Sequence, residues 1–398
     1  MIILAIDTSC DETCIAIVEV AKGRFYTKSN VVSSQIKIHK KYGGVVPFLA
    51  KREHQKNLIP VLKESLKKAK ILKKETKLKT NNFTKVKKIL TKEENLLRNV
   101  YDFLIHYKNP LIDLIAVTKG PGLEPCLWTG INFAKALSFF WRKPIIPVNH
   151  LEGHIFANFL GKSQILNLKS QIFPAVALIA SGGHTELVLV RRIKQYKLIG
   201  ETLDDAAGEC LDKIAKIINL PYPGGPEIEK IAKFGSKETY NFPRPMIWSK
   251  DYNFSFSGLK TSVLYLTKKL KNKDLKKIKT KANISASAQQ AVFDVLIVKT
   301  IKAVKEKNAK TILAGGGVMA NKTLKRQFKL KIKKILGSQF LVKKQKNQKI
   351  NFLVPSKKLC TDNAAMIAVA AYFNKNKKIA QNNIRKIASI KADSNLNL

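Results

Sequence analysis

Arginine is scarce in a chain that is otherwise strongly basic. Of 73 basic side chains nine are arginine and 64 lysine, against 28 acids. The planar guanidinium fork is what grips phosphate bidentately, so its scarcity weakens the step from a net charge of +45 to a designed nucleic-acid surface. Lysine still drives polyanion binding by counterion release, but frequent Asn and Ile point equally to an AT-rich coding bias. Cysteine is sparse too. The five, at 10, 14, 126, 210 and 360, are odd in number, scattered and without a Cys-x-x-Cys pair, which excludes a disulfide framework or zinc ribbon and leaves reduced thiols. Long apolar runs are missing. The longest clean one, Phe173 to Ala180, is far below the roughly 18 residues of a membrane span. The N-terminal run Met1 to Ile6 has no basic lead and ends in Asp7, so it reads as a buried strand rather than a secretory signal. A soluble, cytoplasmic protein with no membrane partner is expected.

What is present suits two domains. At 398 residues with 45% hydrophobic content, the chain can fill two cores, expected as 1–150 and 151–398, with a helix after Asp362 packing back on the first. Residues 63 to 92 hold twelve lysines, and the stretch from about 72 to 110 reads as an inserted, solvated segment. A second Lys-rich stretch runs from Lys325 to Lys349, and the tail beyond Asn374 reads as loose. Ile2–Ile6, a polar turn Asp7–Thr13 and Cys14–Val20 form a β-hairpin whose tip holds three acids and three hydroxyls. Ala175–Ala180, the turn Ser181–Thr185 and Leu187–Val190 repeat that design. Two such halves suggest similar domains closing on a nucleotide-like ligand, because Gly-rich turns expose N–H groups that cradle phosphate.

The most chemically pointed stretch is His150-Leu-Glu-Gly-His154. On a helix, residues four apart share a face with Cβ atoms about 5 to 6 Å apart, so both imidazoles can reach one metal ion. Of six histidines, at 39, 54, 106, 150, 154 and 184, only this pair falls within one helical turn. Gly120-Pro-Gly122 reads as a turn opening a helix, Pro221-Tyr-Pro-Gly-Gly-Pro226 as a rigid tight loop able to approach a ligand closely, and Gly315-Gly-Gly-Val-Met-Ala-Asn321 as a triple-Gly turn and helix start. The last lacks the Lys-Ser/Thr of a Walker loop and the spacing of a Rossmann fingerprint.

Together these motifs resemble the tRNA threonylcarbamoyladenosine transferases. The matching residues run from Ile6 to Ala368 and include Asp7–Thr13, Tyr42-Gly-Gly-Val-Val-Pro47, Gly120-Pro-Gly122, His150-x-Glu-Gly-His154, Ser181-Gly-Gly-His-Thr185, Asp204-Asp-Ala-Ala-Gly208, Phe242-Pro-Arg-Pro245, Phe254–Lys260 and Cys360-Thr-Asp362-Asn. The resemblance implies an α/β protein of the actin-like/sugar-kinase fold, two similar subdomains with a nucleotide cleft between them. It implies one metal ion, Fe(2+) or else Zn(2+), on His150, His154 and Asp362. It places threonylcarbamoyl-AMP on Ile179, Ala180, Ser181, Gly182, Gly183, Asp212, Gly225 and Asn321. The reaction implied is transfer of the threonylcarbamoyl group to the N6 amine of the adenine 3′ of the anticodon in tRNA, with release of AMP. A paralogous actin-like protein and a small P-loop ATPase are the implied partners. A carboxylate base would take the amine's proton, and Asp11 and Glu12 are the candidates. Three positions depart from the family's pattern: Asn149 stands where many members carry histidine, Cys210-Leu211 replace an Ala-Phe pair, and Glu124-Pro-Cys follow the Gly-Pro-Gly turn.

A zinc metallopeptidase reading meets a geometric objection. In His-Glu-x-x-His the glutamate follows the first histidine directly, whereas Glu152 lies two residues on, about 200° round a helix from His150. A non-catalytic scaffold partner would not need a metal set, and a sugar kinase would want a catalytic Asp facing a sugar hydroxyl.

Overall fold

The computed structural model describes residues 1–76, 83–161, 169–338, 350–377 and 384–398. Within them the chain divides into two compact units, Met1–Asn167 with Asp362–Leu398, and Leu168–Thr361.

The first unit is built on strands β1 (Ile2–Asp7), β2 (Glu12–Ala21), β3 (Arg24–Ser34), β4 (Leu114–Gly120) and β5 (Ile145–Asn149), in the order β3-β2-β1-β4-β5. The β1–β2 and β2–β3 pairs are antiparallel, and β4 and β5 run parallel to β1. Strand β1 is Ile-Ile-Leu-Ala-Ile-Asp, buried from Ile3 onward, as expected of a central strand covered on both faces. Helices α1 (Pro47–Lys68) and α3 (Glu124–Trp141) pack on this sheet, α2 (Glu94–His106) packs on α1, and α4 (His150–Phe156) leaves directly from β5.

Between 86 and 104, the Lys-rich segment expected to be solvated instead sends apolar side chains into this core. Leu96, Val100, Phe103 and Leu104 lie on one side of α2 and are buried, an i, i+4, i+7, i+8 stripe, while Val86 and Leu90 are buried just before it. Residues 77–82 of that stretch lie outside the described residues.

The second unit repeats the plan. Strands β6 (Ala175–Ala180), β7 (Thr185–Arg192) and β8 (Gln195–Glu201) are antiparallel neighbours, and β9 (Thr311–Gly315) and β10 (Asn351–Leu353) add in parallel. The order β8-β7-β6-β9-β10 matches that of the first sheet strand for strand. Helices α5 (Ala207–Ile217), α6 (Gly224–Ala232), α7 (Ser257–Lys269), α8 (Ile278–Glu306) and α9 (Lys322–Ser338) complete it. Their inward residues, among them Leu211, Ile228, Leu259, Val292 and Leu324, join Val176 and Leu178 of β6 in one apolar core. The part of the second Lys-rich stretch from 339 to 349 lies outside the described residues.

The chain then returns to the first unit through α10 (Ala364–Phe373), which packs against α4, β1 and β2. Five of its ten residues are alanine, all buried, so neighbouring backbones can come close. Gly153 is the matching feature on α4: a Cβ there would lie 2.9 Å from Ile367 Cδ1 and 3.1 Å from Met366 Cγ. The seam therefore falls after Asn167 rather than at the expected 150/151 boundary, because α4 packs on the sheet it leaves and on α10.

The end of the chain, expected to be loose, is packed over 384–398; residues 378–383 lie outside the described residues. Ile387 and Ile390 are buried. Lys135 Nζ of α3 donates to Ile390 O at 2.7 Å and Ala388 O at 3.2 Å, and Asp393 N donates to Lys119 O at 2.9 Å. Among the described residues no helix is long and apolar enough to cross a membrane.

Candidate metal centre and glycine cradle

In the first unit, three carboxyl ends of strands meet one helix start. Asp7 ends β1, Gly120 ends β4, and β5 runs into α4 at His150. In open α/β sheets, ligand sites form at such carboxyl ends. Asn149 caps α4: its Oδ1 accepts from Leu151 N at 2.8 Å and Glu152 N at 3.3 Å, satisfying helix-start donors in the usual way. Its Nδ2 donates to Asn397 O at 3.0 Å. The departure from histidine at this position is thus occupied by a cap.

The short helix sets His150 and His154 one turn apart, with ring centroids at 4.7 Å and planes at 85°. Asp362, just before α10, comes to both: its Oδ1 lies 3.4 Å from His150 Nε2 and 3.3 Å from His154 Nε2. One ligand atom from each of the three lies within 4.8 Å of the others. Asn363 caps α10 by accepting from Met366 N at 3.1 Å, which fixes where the carboxylate before it emerges.

Several facts fit a metal ion. Both nitrogens of His154 are buried without a hydrogen-bond partner, a costly state for a polar group unless something else is bound. Metal–ligand bonds of about 2.0 to 2.2 Å place adjacent ligand atoms roughly 3.0 to 3.5 Å apart, which brackets the two observed nitrogen–oxygen distances. Two imidazoles and one carboxylate form a donor set that suits iron or zinc with positions left open.

Electrostatics at the centre follow from burial and neighbours. Burial works against charge on His150, yet the carboxylates of Asp7 and Asp362 outweigh it and raise its pKa well above the usual imidazole range. Burial likewise opposes ionisation of Asp362, and the proximity of His150 and His154 outweighs it and lowers its pKa. Asp11 and Glu12 occupy the hairpin tip beside this set. Glu12 is raised well above the ordinary carboxylate range by burial first, then by the charges of Asp11, Asp362 and Asp7. Asp11 is raised chiefly by burial, with Cys10 and Glu12 pulling the other way.

Two residues that spacing did not single out belong to this region. Asp7 is buried, and its Oδ2 lies 3.3 Å from His150 Nδ1. His54 of α1 is fully buried and spans the hairpin tip, with Nε2 3.0 Å from Cys10 O and Nδ1 2.8 Å from Thr13 Oγ1. Burial lowers its pKa to about 4, so at neutral pH the ring is uncharged, with Nε2–H donating to the Cys10 carbonyl and Nδ1 accepting from the Thr13 hydroxyl. The available signal for Asp7 was its place at the end of a buried strand. Glu152 is accounted for elsewhere: its Oε2 accepts from Asn374 Nδ2 at 2.5 Å. All five cysteines are free thiols.

The other sequence-derived site residues all lie in the second unit. Ile179 and Ala180 are buried in β6, which leaves only their backbone for a ligand. Beyond them Ser181 N donates to His184 O at 2.8 Å, and Gly208 N of α5 donates to Ser181 O at 3.0 Å. Gly182 and Gly183 are exposed, and a Cβ on either would meet nothing within 4 Å. Asp212 Oδ1 accepts from Gly225 N at 3.0 Å, tying α5 to the start of α6. Gly316 has φ +91°, and a Cβ there would lie 2.3 Å from Ala180 O, so the triple-Gly turn is pressed against the end of β6. Asn321 does structural work at that place: its Oδ1 accepts from Thr323 N at 2.9 Å and Leu324 N at 3.1 Å, and its Nδ2 donates to Gln289 Oε1 at 2.8 Å.

Topology and donor set together define an actin-like α/β protein with a His-His-Asp group able to hold a metal ion. A family model described as "TsaD: tRNA N6-adenosine threonylcarbamoyltransferase" matches residues 27–78 and 95–369. The chain is 46% identical over 372 residues to the tRNA N6-adenosine threonylcarbamoyltransferase of Thermosipho melanesiensis, covering 94% of each. With that of Thermosipho africanus the identity is 42% over 398 residues and both chains are covered completely. This chain therefore belongs to the tRNA N6-adenosine threonylcarbamoyltransferase family. Among solved structures, T. kodakarensis HypF aligns with a TM-score of 0.52 at 13% identity, over 94% of this chain and 47% of that one, a likeness of fold.

Proposed function

We propose that this protein transfers the threonylcarbamoyl group of threonylcarbamoyl-AMP to the N6 amine of the adenine 3′ of the anticodon, in tRNAs reading codons that begin with A, releasing AMP. The observation that carries this reading is the convergence of His150, His154 and Asp362 in a chain of this family. On the reading, these three residues hold a divalent ion, Fe(2+) with Zn(2+) as the alternative. A bound ion there supplies Lewis-acid and templating chemistry. The exposed N–H groups of Gly182 and Gly183, with the Asp212–Gly225 pair and the turn at Gly316, receive the adenylate through backbone donors. Asn321 shapes this cradle by capping α9. An aromatic amine must shed a proton as it attacks the carbamoyl carbonyl, and an ionised carboxylate within reach can accept it. Asp11 and Glu12, at the tip of the first hairpin, are the proposed acceptors.

A protein of the same fold and a small P-loop ATPase are the proposed partners, and the cytoplasm the proposed compartment. The test is mass spectrometry of nucleosides from tRNA incubated with this protein, those two partners, threonine, bicarbonate and ATP. Appearance of threonylcarbamoyladenosine only when this protein is present is the expected result. An unmodified adenosine peak in the complete mixture, with threonylcarbamoyl-AMP shown to be formed, overturns the reading.

A further inference from the structure

Asp7 is a buried carboxylate with one oxygen committed and one turned to a histidine. Its Oδ1 accepts from Ser9 N at 3.1 Å. Its Oδ2, 3.3 Å from His150 Nδ1, has no hydrogen-bond partner, nor has that nitrogen, so the pair is within ion-pair distance but off the line of a straight hydrogen bond. On the far edge of the same ring, Nε2 lies 3.4 Å from Asp362 Oδ1. Asp7 thus stands behind the imidazole and the donor set stands in front of it.

We propose that Asp7 is a positioning residue for His150: it holds the proton on Nδ1, so that the Nε2 lone pair faces the metal position shared with His154 and Asp362. The inference rests on the metal reading above. Three observations carry it. A neutral imidazole has one N–H and one lone pair, and the hydrogen bond at one nitrogen decides which nitrogen can bind a metal. A carboxylate oxygen accepts only, so Asp7 Oδ2 demands N–H at Nδ1. A buried carboxylate also needs a donor to offset its lost hydration, and Nδ1 is the one that faces this oxygen. Asp7 does not join the donor set itself, because its oxygen meets the ring at the nitrogen turned away from Asp362.

Asp7→Asn makes the opposite demand. Its Oδ1 can still accept from Ser9, while its amide would present N–H to Nδ1 and force the proton onto Nε2, where it blocks the ion. Zinc affinity, measured by chelator competition, is expected to fall about 10- to 100-fold. Asp7→Glu, which keeps the charge, should recover part of that loss. In zinc-loaded wild-type protein, nitrogen-15 NMR of histidine should show His150 protonated at Nδ1 and coordinated through Nε2. Coordination through Nδ1 overturns the proposal without any variant, and so does wild-type zinc affinity in Asp7→Asn. His154→Ala separates the two levels: if it binds zinc as well as wild type, the metal reading itself fails. If His154→Ala loses zinc while folded Asp7→Asn keeps it, only the role of Asp7 falls.

Discussion

The two units share one strand order and differ at the same place in it. Where β1 turns into β2, the first unit puts side chains inside: Thr8, Ser9, Asp11 and Thr13 are all buried, and His54 hydrogen-bonds across the turn. Where β6 turns into β7, the second unit leaves glycine exposed, with open space above Gly182 and Gly183. One turn thus gathers carboxylates and imidazoles, which suit a cation. Its counterpart bares backbone N–H groups, which suit an anion. A single scaffold becomes two chemistries by exchanging side chains for their absence at one corner.

The sharpest way to break the comparison is to remove the cation side alone. His154→Ala is expected to abolish metal binding and threonylcarbamoylation of tRNA, while adenosine affinity stays unchanged by calorimetry. Full activity in this metal-free variant would dissolve the division of labour. The converse is Gly316→Ala. Its Cβ would sit 2.3 Å from Ala180 O at φ +91°, a strain of about 1 to 3 kcal/mol. Adenosine affinity should fall by about tenfold or more with zinc affinity untouched, and loss of both would mean that the two corners are not separable.

A smaller effect lies in pH. His54 is held neutral with its pKa lowered to about 4, against about 6.5 when unfolded. In that window the unfolded chain binds a proton that the folded one refuses, so stability is full above about pH 6.5 and declines as pH falls toward 4. Those 2.5 units correspond to at most about 3 kcal/mol. His54→Gln should flatten this part of the curve of denaturation midpoint against pH, measured relative to wild type; identical slopes would show that the imidazole carries no such linkage. The smallest expected change is Asn321→Ala, which removes the α9 cap and costs about 1 kcal/mol of stability. Asn321→Asp keeps the capping oxygen and should restore most of it, and adenosine binding should weaken less than in Gly316→Ala.

Local patterns were legible in the amino-acid order because they depend on neighbours: both hairpins, the one-turn spacing of His150 and His154, and the triple-Gly turn after β9. Residues joined by the sheet were not. Nothing in spacing connects Asp362 to a histidine 208 positions earlier (362 − 154); only the family resemblance did. The pairing of Asp7 with His150 and the span of His54 across the hairpin tip were hidden for the same reason, since tertiary packing brings them together. The stripe of α2 was masked by composition. Lysines just before it suggest a solvated run, but they can keep their charges in water while Leu96, Val100 and Phe103 point inward. Asn321 shows a different limit: the residue that the resemblance marks as a ligand contact is a helix cap in the structure, a role its letter alone did not announce.

Because the second unit is spelled out between His154 and Asp362, order of synthesis becomes a constraint. At about 5 to 20 residues per second, the ribosome adds those 208 positions (362 − 154) in roughly 10 to 40 seconds. Throughout that interval β1 to β5 and both imidazoles exist without α10 to cover them or the carboxylate to complete the donor set. The nascent chain can therefore assemble the three-residue centre only after its inserted half has been made, which puts metal capture among the last events of its biogenesis.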